Sequence, residues 1–191
     1  VSDYANPDLA RLWLDGDAFR APASTALPAD IFANELTGWD AFGGIKAGFV
    51  ITTDREITDV NVWNNTSGSP YKRRKQPPAT TIALRPVDYS KATVLTLLRG
   101  GSVAETATAS GIWEMIEGED EQFGLILRVV DGDKRKAYYI AKGELVNVPE
   151  ENMGADDDVE GWDLEIGPLA PGGGAKAVRK FLTENPLVAT P

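Results

Sequence analysis

The sequence predicts a mainly β protein, a β-sandwich or barrel with one flanking α-helix, a long projecting loop and terminal arms. Three observations predict it. About eight runs are rich in β-branched and aromatic residues and are bounded by Gly, Pro, Asn or Asp. One stretch has a helical start and stop signal. Strands stand on both sides of that helix in sequence, which favours a closed or double-layered sheet over alternating β-α units.

Residues 1–9 read as a polar arm. In "RLWLDGDAFRA" (11–21), Leu12 and Leu14 alternate ahead of an Asp-Gly pair, the pattern of a short strand and a hairpin turn. The Pro-, Ser- and Ala-containing stretch 22–38 is a long connection with one possible helical turn. From Gly43, "GGIKAGFVITTDREITDVNVWNN" supplies two strands, near 45–53 and 56–63. In the second, apolar and polar residues fall on both faces, so both faces can meet protein. Residues 64–78 follow as a loop, and "ATTIALRPV" (79–87) is the returning strand.

In "DYSKATVLTLLRGG", Asp88 or Ser90 can cap a helix, Val94, Leu95 and Leu98 share one side, and Gly100-Gly101 stop it. After a polar link come strands at 110–118, 122–130 and 134–148, the last two joined through a turn at Asp131, Gly132 and Asp133. An acidic loop, a strand at 162–171, a final segment at 175–183 that fits strand or short helix, and a tail at 185–191 complete a single domain of 191 residues.

The chain has no Cys and no His, which removes disulfides, thiolate nucleophiles, Cys/His zinc sites and the usual neutral-pH general base. No apolar run approaches the ~20 residues that cross a bilayer. The first residues lack the basic start and apolar core of a signal peptide. With 29 acids against 19 bases the net charge is −10, unfavourable for general attraction to nucleic acid.

Candidate chemistry is sparse. Asp156, Asp157 and Asp158 are consecutive, not alternately spaced as in a calcium loop, and read as solvated. Asp131 and Asp133 are explained by their turn. "GGG" (172–174) lacks the Lys-Ser/Thr of a phosphate loop. Glu117, Glu119, Asp120 and Glu121 offer carboxylates, but no pair is singled out for acid/base work. The five Trp are scattered, one per segment, as packing residues would be. No cofactor is called for.

One stretch departs from the acidic background: Lys72, Arg73, Arg74 and Lys75 are adjacent, behind Tyr71. They fit a solvated loop, a nucleic-acid contact with Tyr71 stacking, or a contact to acids on another copy of the same chain.

Residues 39–101 carry a family resemblance. "GWDAFGGIKAGFVI" runs into "TDREITDVNVWNN", a polar basic loop follows, and "PPATTIALRPVDYSKATVLTLLRGG" closes the segment. "GLILRVVDGDKRKAYYIAKGELVNV" then looks like the following family hairpin. This order resembles the major tail tube protein of long, non-contractile-tailed bacteriophages, over roughly residues 10–180. Tail terminators and baseplate rings share similar folds, and a carbohydrate- or surface-binding β-domain is the reading from another class.

The resemblance implies a non-enzymatic structural protein of the virion tail, assembled in the bacterial host cytoplasm. Hexameric rings would stack into a tube, with tape measure and terminator proteins as further partners and no membrane. DNA would pass through the channel without specific binding. The loop from Asn64 to Gln76 takes the place of the family's ring-stacking loop, which gives Trp63, Asn64, Asn65, Tyr71, Lys72, Arg73, Arg74 and Lys75 as inter-ring contacts. Glu56 and Asp59 are candidates for facing the channel.

Overall fold

The computed structural model describes residues 10–150 and 159–187; the expected arm at 1–9, the Asp156–Asp158 run and tail residues 188–191 lie outside them. The architecture is mainly β with one short helix. Strands β1 (Asp15–Pro22), β2 (Asp40–Ala41), β3 (Ile45–Asp54), β6 (Ala79–Pro86), β9 (Gln122–Asp131), β10 (Lys134–Leu145) and β11 (Leu164–Pro168) form one sheet in the order β2-β1-β9-β10-β11-β6-β3. A further strand, β12 (Val178–Leu182), pairs with β10, so the segment that fitted strand or helix is a strand. Two separate ribbons complete the fold: β4 (Ile57–Val60) with β5 (Lys72–Lys75), and β7 (Ser102–Glu105) with β8 (Trp113–Ile116).

The β9–β10 hairpin is the organising unit. Its turn lies at Asp131–Lys134, where Gly132 takes φ 60°, as the Asp-Gly-Asp signal predicts. Strand β9 is buried on both faces, which is why it reads as a nearly continuous apolar run. Phe123, Leu125 and Leu127 enter one core with Ile82, Leu84, Ile140, Trp162, Leu164 and Ile166. Ile126, between them, faces a second core with Phe19, Ile31, Leu36, Trp39 and Tyr139. Irregularity between Ile140 and Gly143 lets β10 serve β12 with its first part and β11 with its last.

Three local expectations are corrected. The Asp15-Gly16 pair opens β1 instead of turning, because β1 pairs with β9 from Asp15↔Val130 to Pro22↔Phe123. Gly16 is needed there for close approach, since a Cβ would strike the Arg128 carbonyl oxygen and the Phe49 ring. Leu12 and Leu14 are accordingly exposed. The 22–38 connection forms turns and no helix, and roofs the second core. Arg128 pins it by donating to the Ala33 carbonyl, with Asp17 at 2.7 Å on its other amino group, and Tyr139 donates to the Thr25 carbonyl at 2.7 Å.

The third concerns the helix, α1 (Lys91–Leu98). Ser90 is the cap, accepting from Thr93 N at 3.1 Å, and Arg99 (φ 47°) with Gly100 (φ 81°) ends the helix in the left-handed region. Asp88 instead accepts from Gly44 N at 2.6 Å. The buried residues are Ala92, Thr93, Thr96 and Leu98, while Val94 and Leu95 are half-buried. Small residues face inward because the helix lies close against β1 and β2; the Thr96 hydroxyl is satisfied by the Ala92 carbonyl at 2.8 Å.

The two ends of the described chain are tied together. Glu184 accepts from Arg11 at 2.8 Å and pairs with Lys134 at 2.9 Å, and these two cations hold its carboxyl below the usual carboxylate range. A depressed carboxylate pKa contributes stability above the ordinary value and loses it as pH falls through the folded value. Acidification should therefore free residues 10–14, and Glu184→Gln should do so at neutral pH. Faster tryptic cleavage after Arg11, with the core unchanged, is the expected readout; equal rates in both chains would discount the tie.

Candidate assembly interface

Strands β3 and β6 run antiparallel to Asp54↔Ala79, and the same hairpin resumes in β4–β5 from Ile57↔Lys75 to Val60↔Lys72. Between them, Asp54 accepts from Arg55 N at 2.7 Å and the Glu56 carbonyl accepts from Gln76 N at 3.0 Å. The basic stretch is thus the return strand of a projecting ribbon, not a loop. About nine residues separate Asp54 from the tip, which at ~3.3 Å each bounds its reach from the sheet at roughly 30 Å.

The tip is built by Asn65. Its N–H reaches the Val62 carbonyl at 3.1 Å, its side-chain oxygen accepts from Ser67 N at 3.2 Å, and its amide donates to the Ser69 carbonyl at 2.7 Å. Gly68 takes φ 71° to complete the reversal. This frame holds Asn64 at the exposed turn and presents Trp63, 96% exposed, and Tyr71.

Pairing divides the ribbon into two faces. Ile57, Asp59, Arg73 and Lys75 share one; Thr58, Val60, Lys72 and Arg74 share the other. Arg73 is committed inside the subunit, bonding Asp59 at 2.8 Å. Lys72, Arg74 and Lys75 make no ion pair among the described residues, and neither does Glu56 at the ribbon's base. The two acids read as channel-facing therefore differ, since Asp59 is already neutralised.

The second ribbon was missed in part: β7 falls in what reads as a polar link. Its strands pair from Ser102↔Ile116 to Glu105↔Trp113. Glu105 closes the connecting turn by accepting from Ala109 N at 3.1 Å and Gly111 N at 2.8 Å. Val103, Ile112, Trp113, Met115 and Ile116 are exposed. Two exposed two-stranded ribbons bearing apolar side chains are suited to burial against other protein, because such ribbons are marginal alone. Among the described residues, no group of three or more acids is placed to hold a metal ion.

Comparison with individually curated proteins finds none that matches. Residues 5–186 match the family model described as phage tail tube protein, so the chain belongs to that family and is a structural component of a phage tail tube, not an enzyme.

Proposed function

We propose that the chain forms hexameric rings that stack head to tail, and that the resulting channel delivers DNA. The observation that carries this reading is the projecting β4–β5 ribbon, which holds Trp63 almost fully in solvent beside three uncommitted cations. A ribbon on one surface that fits a different surface of the next copy makes a contact that repeats without closing, and so builds a filament. Tape measure and terminator proteins would meet the tube at its interior and end, and assembly would take place in the host cytoplasm. An acidic channel wall would repel phosphates and keep DNA mobile; Glu56 and Asp59 are the acids proposed for it, Asp59 with its charge offset by Arg73.

Negative-stain microscopy of concentrated protein tests this. Long tubes are expected. Isolated rings would favour a terminator or baseplate part, and a strict monomer that binds glycans would exclude both. Lys72→Glu with Arg74→Glu should abolish tubes while leaving the far-UV spectrum unchanged, because exposed charges contribute little to folding. Like charges forced together cost several kcal/mol, so the critical concentration should rise about 100-fold or more. Unchanged polymerisation would remove the ribbon from the stacking contact.

A further inference from the structure

Acids left without a partner inside the subunit are concentrated in one segment of the chain. Residues 101–121 hold Glu105, Glu114, Glu117, Glu119, Asp120 and Glu121 and no Lys or Arg. Three of these are committed within the subunit: Glu105 to its turn, Glu117 to Arg99, and Glu121 to Arg20 at 2.5 Å. Glu114, Glu119 and Asp120 are exposed and make no ion pair among the described residues. Glu114 stands on β8 itself, and Glu119 and Asp120 on the segment that joins β8 to β9, so the ribbon and the chain leaving it set three uncommitted acids against the three uncommitted cations of β5. No ion pair or hydrogen bond between described residues joins the two ribbons in one subunit, so the complementary charges are left for another copy.

We propose that the β7–β8 ribbon, with the Glu119–Asp120 segment that follows it, is the docking surface for the β4–β5 ribbon of a second copy. The claim rests on the tube reading and specifies which surfaces meet. Register supports the pairing of faces: Glu114 and Ile116 share one face of the acidic ribbon, and Lys72, Arg74 and Val60 share one face of the basic ribbon. Each face combines uncompensated charge with an exposed β-branched side chain, so burial of Ile116 and Val60 and neutralisation of the charges occur together. The receptor and the ligand are different segments of one chain, which makes the contact head to tail.

Reciprocal charge reversal tests it. Glu114→Lys with Glu119→Lys should raise the critical concentration for tubes about 100-fold or more, as expected for the Lys72→Glu/Arg74→Glu chain. Combining all four substitutions should restore tubes. A direct trap is also open, because the chain has no cysteine. Arg74→Cys with Glu114→Cys should give a ladder of disulfide-linked species beyond the dimer on a non-reducing gel, whereas either single variant stops at the dimer. Wild-type tubes with no rescue by the four-fold variant overturn this docking and leave the polymer standing. A wild-type chain that forms no tubes overturns the reading beneath it.

Discussion

Replacing Trp162 with alanine should remove about 3–5 kcal/mol of stability, a large part of the ~5–15 kcal/mol that holds a domain folded. Trp162 is 1% exposed and stands among Ile82, Leu84, Leu164 and Ile166 in the inner core. Tyr89 meets it edge-on, with centroids 4.8 Å apart and planes at 85°. Its backbone N–H donates to the Pro86 carbonyl at 3.1 Å, so the ring anchors the return of the chain from the acidic segment onto β6. Alanine would leave a cavity in this cluster, and the loss grows with the volume that the surrounding strands do not refill.

Phenylalanine at the same site should behave differently. The Trp162 indole N–H is buried with no hydrogen-bond partner among the described residues, and an unmade bond of that kind costs about 1–3 kcal/mol. Trp162→Phe loses volume but also removes the orphan donor, so the two terms oppose and the net loss should stay below about 1.5 kcal/mol. Urea midpoints at constant m-value measure both. A phenylalanine variant as damaged as the alanine one would show that the indole N–H is satisfied in solution.

What could be read from the amino acids depended on whether local pattern and tertiary burial agreed. The β9–β10 hairpin was legible because its turn residues fix the reversal and the two-sided burial of β9 writes an apolar run interrupted only by Arg128. The limits of α1 were legible from Ser90 and Gly100, but its inward face was not. Hydrophobicity points to Val94, Leu95 and Leu98; Leu98 is buried, but close packing on β1 and β2 selects Ala92, Thr93 and Thr96 over Val94 and Leu95. The β7 strand was hidden because it pairs only with β8, outside the main sheet, and leaves no alternation of core and solvent. The same cause made Lys72–Lys75 look like a loop: nothing local announces that Arg73 lies across from Asp59. The cations themselves stood out against an acidic chain. Their acidic counterparts did not, because 29 acids conceal three, and only contacts within the subunit, ion pairs for Glu117 and Glu121 and turn hydrogen bonds for Glu105, separate these from the uncommitted ones.

Gly101→Ala should dislodge the acidic ribbon while sparing the main sheet. The Leu98 carbonyl, at the end of α1, accepts from Gly101 N at 2.8 Å and from Gly118 N at 2.7 Å. The two glycines thereby bring the helix end and both roots of the β7–β8 ribbon to one point. A Cβ on Gly101 would run into the Ile116 carbonyl oxygen, and one on Gly118 into that of Arg99. These obstacles are backbone, so no side-chain rotation relieves them, and overpacking of this kind costs about 1–3 kcal/mol or somewhat more. The strain falls on a ribbon outside the main sheet, so it should be released by opening there. Amides at 102–116 should exchange faster, those of β9 and β10 should keep their protection, and tubes should be lost if this ribbon is the docking surface. Ser102→Ala, one position along and exposed, is the control and should change stability by less than about 0.5 kcal/mol. If Gly101→Ala leaves exchange at 102–116 unaltered, the glycines do not hold the ribbon. If it speeds exchange while tubes form normally, the ribbon's orientation is irrelevant to stacking, and the docking surface must lie elsewhere on the subunit.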